Sequence, residues 1–245
     1  VEAAKRPTLK LDPADVAGYE RFLDYAAGVY EEGYRKLGSV AFLDFASMIK
    51  AAPALAKYQA WRSVYSIVSS YVKNDKLREA LSFHTLLVGG NPMNTSAIYA
   101  LIHKLEKDGG VWFAKGGTNR LVQAMATHFE RLGGTLRLGD KVTRIETQGD
   151  RITAVHTASG WRGEADAVAS NADLMHSYRD LLAHHPRGAK QGEKLAQKRW
   201  SPSLFVLHFG IKGSWPGIPH HMILFGPRYK GLLTDIYDHG VLPED

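Results

Sequence analysis

The chain has 245 residues, no cysteine, and 31 lysines and arginines against 25 aspartates and glutamates, for a net charge of +6. With 44% hydrophobic and 23% charged residues it has globular composition, which excludes collagen-like, low-complexity and disordered classes. The absence of cysteine excludes disulfide frameworks, thiolate zinc sites, iron–sulfur clusters and a cysteine nucleophile, and suits a reducing, cytoplasmic setting.

Leu11-Asp12-Pro13-Ala14-Asp15 is a helix start: Asp12 can cap, Pro13 suits the first turn and Asp15 complements the dipole. Tyr19, Phe22, Leu23, Tyr25, Ala26, Val29 and Tyr30 then recur at helical spacing, and Gly38 is the stop after Leu37. Residues 42–88 read as several helices, with Pro53 opening one of them. Leu55, Tyr58, Trp61, Val64, Tyr65, Val68 and Tyr71 form an apolar, aromatic stripe flanked by Lys57, Arg62 and Lys73. Such a stripe suits either a helical core with snorkelling cations or a membrane interface. Asn91-Pro92 breaks the run, and Ser96 to Leu105 reads as a further helix.

The pattern changes near Asp108. Val111-Trp112-Phe113 reads as a short strand, and Gly116-Gly117-Thr118 leads into a helix with Leu121, Val122, Met125, Phe129 and Leu132 on one face. Strand signals follow at 135–138, 142–147, 152–157 and 165–169, with Gly149-Asp150 as a hairpin turn. Residues 173–182 return to helix, 203–211 and 221–225 read as buried strands, and 232–237 as a helix. The expected fold is mixed α/β, with a helical region over 1–107, a strand-rich part over 108–185, and a basic linker with further strands over 186–245.

The positive charge is local: residues 183–230 hold eight basic side chains against Glu193 alone, and the remainder is near neutral. This stretch could face an anionic lipid surface or a phosphate, or simply be a solvated face. No zinc-finger spacing, basic heptad region or RNP box argues for nucleic acid. There is no G-x-G-x-x-G, no P-loop, no G-x-S-x-G and no H-E-x-x-H, so no metal is expected. Gly116-Gly117-Thr118 before a helix is a weaker anion-site signal, and by itself reads first as a plain strand-to-helix turn.

Taken together, several segments resemble the bacterial phytoene desaturases, the FAD-dependent carotenoid desaturase family. The most specific runs from Phe83-His84-Thr85-Leu86-Leu87-Val88-Gly89-Gly90-Asn91-Pro92 through Ser96-Ala97-Ile98-Tyr99 and Gly110-Val111-Trp112-Phe113-Ala114-Lys115-Gly116-Gly117-Thr118 to Leu121-Val122. Ala60-Trp61-Arg62-Ser63-Val64-Tyr65-Ser66, Ala169-Ser170-Asn171-Ala172-Asp173, Ser203-Leu204-Phe205-Val206-Leu207 and Phe225-Gly226-Pro227-Arg228-Tyr229 match as well. The family usually has proline where this chain has Ala114.

The resemblance implies an incomplete Rossmann-like FAD-binding domain with an inserted helical substrate and membrane region and additional sheet. It makes the chain the middle of a longer enzyme, without the two terminal FAD motifs. It further implies FAD as cofactor, Val142 touching the adenine through its backbone, and Gly116, Gly117, Thr118, Ser170 and Asn171 beside the cofactor. The implied reaction is oxidative: CH–CH becomes C=C as phytoene moves towards lycopene, with quinone or oxygen as the electron acceptor and a peripheral position on a membrane. His84 and Arg62 are the polar candidates beside the substrate path, His84 as a proton acceptor or as a structural histidine. A C30 desaturase, a carotenoid isomerase, a retinol saturase and a non-enzymatic lipid-binding module stay open as alternatives.

Overall fold

The computed structural model describes residues 12–218 and 221–244. Leu11, the first residue of the expected helix start, lies outside these residues. The chain divides into two compact units, one built from the segments up to Val111 and from Ser201 onward, the other from Trp112–Trp200.

The first unit is helical. Asp12 accepts the backbone N–H of Ala14 at 3.0 Å and starts a 3₁₀ turn, Pro13–Asp15, which runs into helix α1, Val16–Val29. Of the stripe the spacing predicts, Tyr19, Phe22, Ala26 and Val29 are buried, while Leu23, Tyr25 and Tyr30 are half-buried. A π-helical turn, Tyr30–Lys36, follows, and the chain leaves it at Gly38. Helix α2, Phe45–Lys57, is capped by Asp44, which accepts from Ser47 N at 2.7 Å. Pro53 lies inside α2 and does not open it, which corrects the sequence expectation. The proline removes one i→i−4 hydrogen bond, which frees the carbonyl of Ile49 on the outward side of the helix, where water can replace the donor.

Helices α3, Val64–Tyr71, and α4, Asp75–Ser82, are capped by Ser63 and Asn74, which accept from Ser66 N and Leu77 N at 3.1 Å each. A 3₁₀ turn, Phe83–Val88, leads onward, and α5, Leu101–Gly109, follows a 3₁₀ turn at Ala97–Ala100. The core joins Tyr19 and Phe22 of α1 to Val64, Ile67 and Val68 of α3, Leu77 and Leu81 of α4, and Val72, Ala97 and Ala100. Asp15 is buried beneath it and accepts three bonds, two from Lys73 N (2.8 and 3.0 Å) and one from Asn74 N (2.7 Å). It therefore ties α1 to the α3–α4 connection, beyond the dipole role that its position suggests. The unit closes with α8, Tyr229–Thr234, and a π-helical turn, Asp235–His239, close to the helix expected at 232–237.

The aromatic stripe of 55–71 is split by this geometry. Val64 and Val68 are core, while Trp61 stands 72% exposed in the loop between α2 and α3.

The second unit carries α6, Thr118–Arg131, a three-stranded antiparallel sheet, and α7, Pro186–Ala196. β1, Val142–Gln148, and β2, Arg151–Thr157, form the expected hairpin around Gly149, whose φ of 58° suits a glycine. Their register pairs Ile145 with Val155 and Gln148 with Arg151. The third strand, β3, is Arg162–Glu164 and falls short of the expected 165–169. Glu146 locks the sheet: it accepts from His156 at 2.6 Å, from Thr153 at 2.9 Å, and from the Arg162 fork at 2.8 and 3.0 Å. The Arg162 contact above all holds its carboxyl well below the usual range.

The strands expected at 111–113, 135–138, 203–211 and 221–225 do not form among the described residues. Leu204 and Phe205 are almost fully exposed. A strand exists only as part of a ladder, and no described segment pairs with these.

Candidate functional site

The candidate residues fall into the two units separately. His84 and Arg62 belong to the helical unit, and Gly116, Gly117, Thr118, Val142, Ser170 and Asn171 to the other.

His84 sits in the 3₁₀ turn after α4, 9% exposed. Its Nε2 lies 3.1 Å from Oε2 of Glu106 on α5. A carboxylate only accepts, so Nε2 carries the proton and Nδ1 keeps a lone pair. That Nδ1 is buried without a hydrogen-bond partner. The ring lies 4.2 Å from Phe83 and 4.3 Å from His103, centroid to centroid. His103 donates Nε2–H to the carbonyl of Leu81 at 2.7 Å and meets Phe22 edge-on. Burial pushes His84 down to about 4 and, with the neighbouring His84 adding to it, His103 to about 4. Both rings are neutral at neutral pH.

Beside this pair lies an apolar cavity of about 180 Å³, walled by Phe83, Leu86, Ile223, Phe225, Tyr229 and Leu233 among others. Phe83 and Phe225 meet edge-on at 5.5 Å, and Phe225 and Tyr229 at 5.7 Å. Tyr229 is pushed up to about 12 by burial, and its hydroxyl shares a 3.1 Å hydrogen bond with Ser82. Phe83 stands in the cavity wall with His84 packed behind it. The sequence did not bring these residues into one wall: Ile223 and Phe225 read as strand residues, and Phe83 and Phe225-Gly226-Pro227-Arg228-Tyr229 stood only among the segments that resemble the family. The available signal was the run of apolar and aromatic residues on both sides of Gly226-Pro227.

Arg62, just before the Ser63 cap, is committed to α3. Its Nε and Nη2 donate to Ser66 Oγ at 3.1 and 2.9 Å, Nη2 also to Ser66 O (2.9 Å) and Ser70 Oγ (2.8 Å), and Nη1 to Gln59 Oε1 (3.0 Å). The guanidinium thus clamps the polar face of α3. Arg62→Lys keeps the charge and loses the fork, and it is expected to lower unfolding free energy by about 1–3 kcal/mol. Urea melts check this; an unchanged midpoint would release Arg62 for a role towards a ligand.

In the second unit, Gly116 and Gly117 hold φ of 88° and 90° before Thr118 begins α6. The first turn of α6 has no side-chain cap at Gly117, and a Cβ there would meet nothing within 4 Å. Uncapped N–H groups at a helix start, with open space before them, fit an anionic group such as a phosphate. Gly116 is less open, since a Cβ there would meet Arg120 Cγ at 2.9 Å. Val142 is half-buried at the start of β1, opposite Thr157. Ser170 and Asn171 are exposed, and Ser170 Oγ is 2.8 Å from Ser177 Oγ in the π-helical turn His176–Leu181, which packs against β1.

Comparison with known proteins gives this arrangement its family. The flavin containing amine oxidoreductase family matches residues 9–237. The phytoene desaturase (lycopene-forming) of a Paracoccus species is 56% identical over 241 residues, 98% of this chain and 48% of that protein. That of Pantoea ananas is 54% identical over 236 residues, 96% of this chain and 48% of that protein. The phytoene desaturase (neurosporene-forming) of Cereibacter sphaeroides is 42% identical over 247 residues, again 48% of its length. The chain thus spans about half the length of the curated relatives it matches. The helical unit, the small sheet and the glycine turn before α6 are accordingly parts of a mixed helix-and-sheet flavoprotein fold, and the chain belongs to the flavin containing amine oxidoreductase family.

Proposed function

We propose that this protein is an oxidoreductase of carotenoid biosynthesis, desaturating phytoene towards lycopene with FAD. The observation that carries the proposal is its identity of 56% and 54%, over nearly all of its length, to two lycopene-forming phytoene desaturases. The bound flavin supplies the hydride acceptor, a capacity that no side chain has.

The chain's own residues contribute binding, orientation and exclusion of water. The glycine turn at Gly116-Gly117 and the uncapped start of α6 at Thr118 would hold a cofactor phosphate, with Val142, Ser170 and Asn171 on the same unit as further cofactor contacts. The Phe83–Phe225–Tyr229 wall offers an apolar, water-poor surface to a hydrocarbon. Its 180 Å³ accommodates an end of such a chain and not its length. His84, neutral and weakly basic, suits proton loss from a strongly acidic, cation-like carbon and would be too weak for an unactivated C–H. Arg62 would act by holding α3 in place. Quinone or oxygen would take up the electrons, at a membrane surface where the apolar substrate resides; among the described residues no helix is long and apolar enough to cross a membrane.

The test is turnover by the complete reading frame, loaded with FAD and supplied with phytoene and, separately, with a C30 analogue. Conjugated products absorbing in the visible are expected from phytoene. A flavin-loaded protein that leaves phytoene unchanged would overturn the proposal.

A further inference from the structure

Helix α2 is built the wrong way round for a helix of a water-soluble protein. Phe45, Met48, Ile49, Ala52 and Ala56 follow i, i+3, i+4, i+7, i+11 spacing and therefore share one face. That face points outward: Phe45 is 79% and Ile49 58% exposed, whereas Ala51 and, in part, Ala54 and Leu55 pack inward. The loop before it continues the feature. Phe42 holds a left-handed φ of 44°, a costly conformation for a bulky residue, and Leu43 after it is 90% exposed.

The surroundings point to one occupant. Between residues 37 and 63 the charged side chains are Lys50, Lys57 and Arg62 against Asp44 alone, and Asp44 is spent on capping Ser47. Lys57 lies 5.1 Å over the ring of Tyr58, and Trp61 projects from the loop beyond the helix. Aromatic rings with snorkelling lysines at the end of an apolar stripe are the composition of the headgroup layer of a bilayer. Thirteen residues are too few to cross a membrane, so such a helix lies in its plane. The other exposed apolar stretches fit less well. Residues 203–211 have irregular backbone, whose unpaired N–H and C=O groups do not enter hydrocarbon. The apolar face of α6 has Trp112, Phe113 and Lys115 before it, but these stand on irregular backbone, as residues 203–211 do. In α2 the backbone is bonded internally, apart from the carbonyl of Ile49 opposite Pro53, to which headgroups and water at the interface supply the donor.

We propose that α2 and the loop 40–44 are the element by which this protein seats on an anionic bilayer, with Leu43, Phe45 and Ile49 entering the acyl boundary and Lys50, Lys57 and Trp61 at headgroup level. The inference rests on the membrane part of the reading above and locates it on named residues, away from the basic stretch at 183–230.

Because the chain has no cysteine, single labels are clean. An environment-sensitive fluorophore is placed on Phe45→Cys, Ile49→Cys, Lys50→Cys and, as a control on the exposed side of α1, Arg21→Cys of the 245-residue chain. Vesicles of phosphatidylcholine with phosphatidylglycerol, some carrying brominated acyl chains, are then added. Labels at 45 and 49 are expected to shift to the blue and to be quenched roughly twofold more than the label at 50, with the label at 21 unchanged. Added salt should reduce the effect. The proposal falls if labels at 45 and 49 ignore the vesicles, if they are already blue and shielded without lipid because protein covers them, or if pure phosphatidylcholine gives the same binding as the anionic mixture. Turnover of phytoene presented in detergent micelles is scored separately, so failure of the membrane element and failure of the enzymatic reading are told apart.

Discussion

Gly18→Ala is expected to remove most of the stability of the helical unit, although alanine is the better helix former by about 1 kcal/mol. A Cβ at Gly18 would overlap the carbonyl oxygen of Tyr71, with the Tyr71 carbonyl carbon at 3.0 Å and Val72 Cγ1 at 3.8 Å behind it. The obstacle is backbone at the C-terminal end of α3, so no side-chain rotation relieves it. Nor can α1 simply retreat. Asp15, three residues earlier and on the same face, is bonded to the N–H groups of Lys73 and Asn74 just beyond the obstacle. Moving α1 outward stretches those bonds and opens the core around Phe22 and Val68, both fully buried. Overpacking combined with weakened bonds to a buried carboxylate should cost about 3 kcal/mol or more, a large share of a total that is typically about 5–15 kcal/mol. Gly28→Ala provides the contrast: its Cβ would meet Tyr58 Oη at 2.7 Å, the far end of a side chain that can swing aside. Urea melts followed by helical circular dichroism should show a large loss for Gly18→Ala and a small one for Gly28→Ala. A Gly18→Ala protein as stable as the parent would show that α1 and α3 do not approach as closely as described.

This contact also marks where the sequence stops being informative. Asp12-Pro13 and the Tyr19–Phe22–Ala26–Val29 stripe announce α1 because capping and periodicity are local signals. Gly149 announces the β1–β2 hairpin for the same reason. Gly18 reads as an indifferent helix glycine, since what it meets lies more than fifty residues away. Pro53 reads as a helix start because the loss of one carbonyl's donor is cheap only where that carbonyl reaches water, which depends on which face of α2 is outward. The apolar runs at 203–211 and 221–225 have the composition of strands buried on both sides, but composition reports what a segment needs and not which segment pairs with it. At the candidate site, His84 and Arg62 are visible as polar residues in apolar surroundings. Their partners are not: Glu106 and His103 reach His84 from a helix a full 3₁₀ turn and loop later, and the serine ladder that occupies Arg62 exists only once α3 is helical.

The buried histidine pair should make the protein acid-sensitive at pH values where its carboxylates are still ionised. In the unfolded chain a histidine titrates near 6.5, whereas His84 and His103 stay neutral in the folded protein down to about 4. The unfolded state therefore binds more protons between these values. The stability contributed by keeping both rings neutral is fully present above pH 6.5 and is lost as pH falls from there towards 4. Each histidine contributes up to about 3 kcal/mol, from 1.36 kcal/mol per pKa unit, and the two rings at 4.3 Å titrate as a pair. Glu106 opposes the effect, because its carboxylate 3.1 Å from His84 Nε2 favours the cation. Its side chain is 38% exposed, so water screens that attraction, while the rings themselves are enclosed by Phe83 and Phe22. Burial consequently outweighs pairing, and the net loss should be on the order of 3 kcal/mol across this range. His103→Gln can still donate to the Leu81 carbonyl and cannot take a proton, and His84→Gln likewise can donate to Glu106. The double variant should show a flat unfolding free energy between pH 6.5 and 4 where the parent slopes down, and histidine ring signals assigned by these variants should titrate well below 6 in the parent. If those signals titrate near 6.5, the rings are solvated, and His84 would then be a base of ordinary strength open to a ligand.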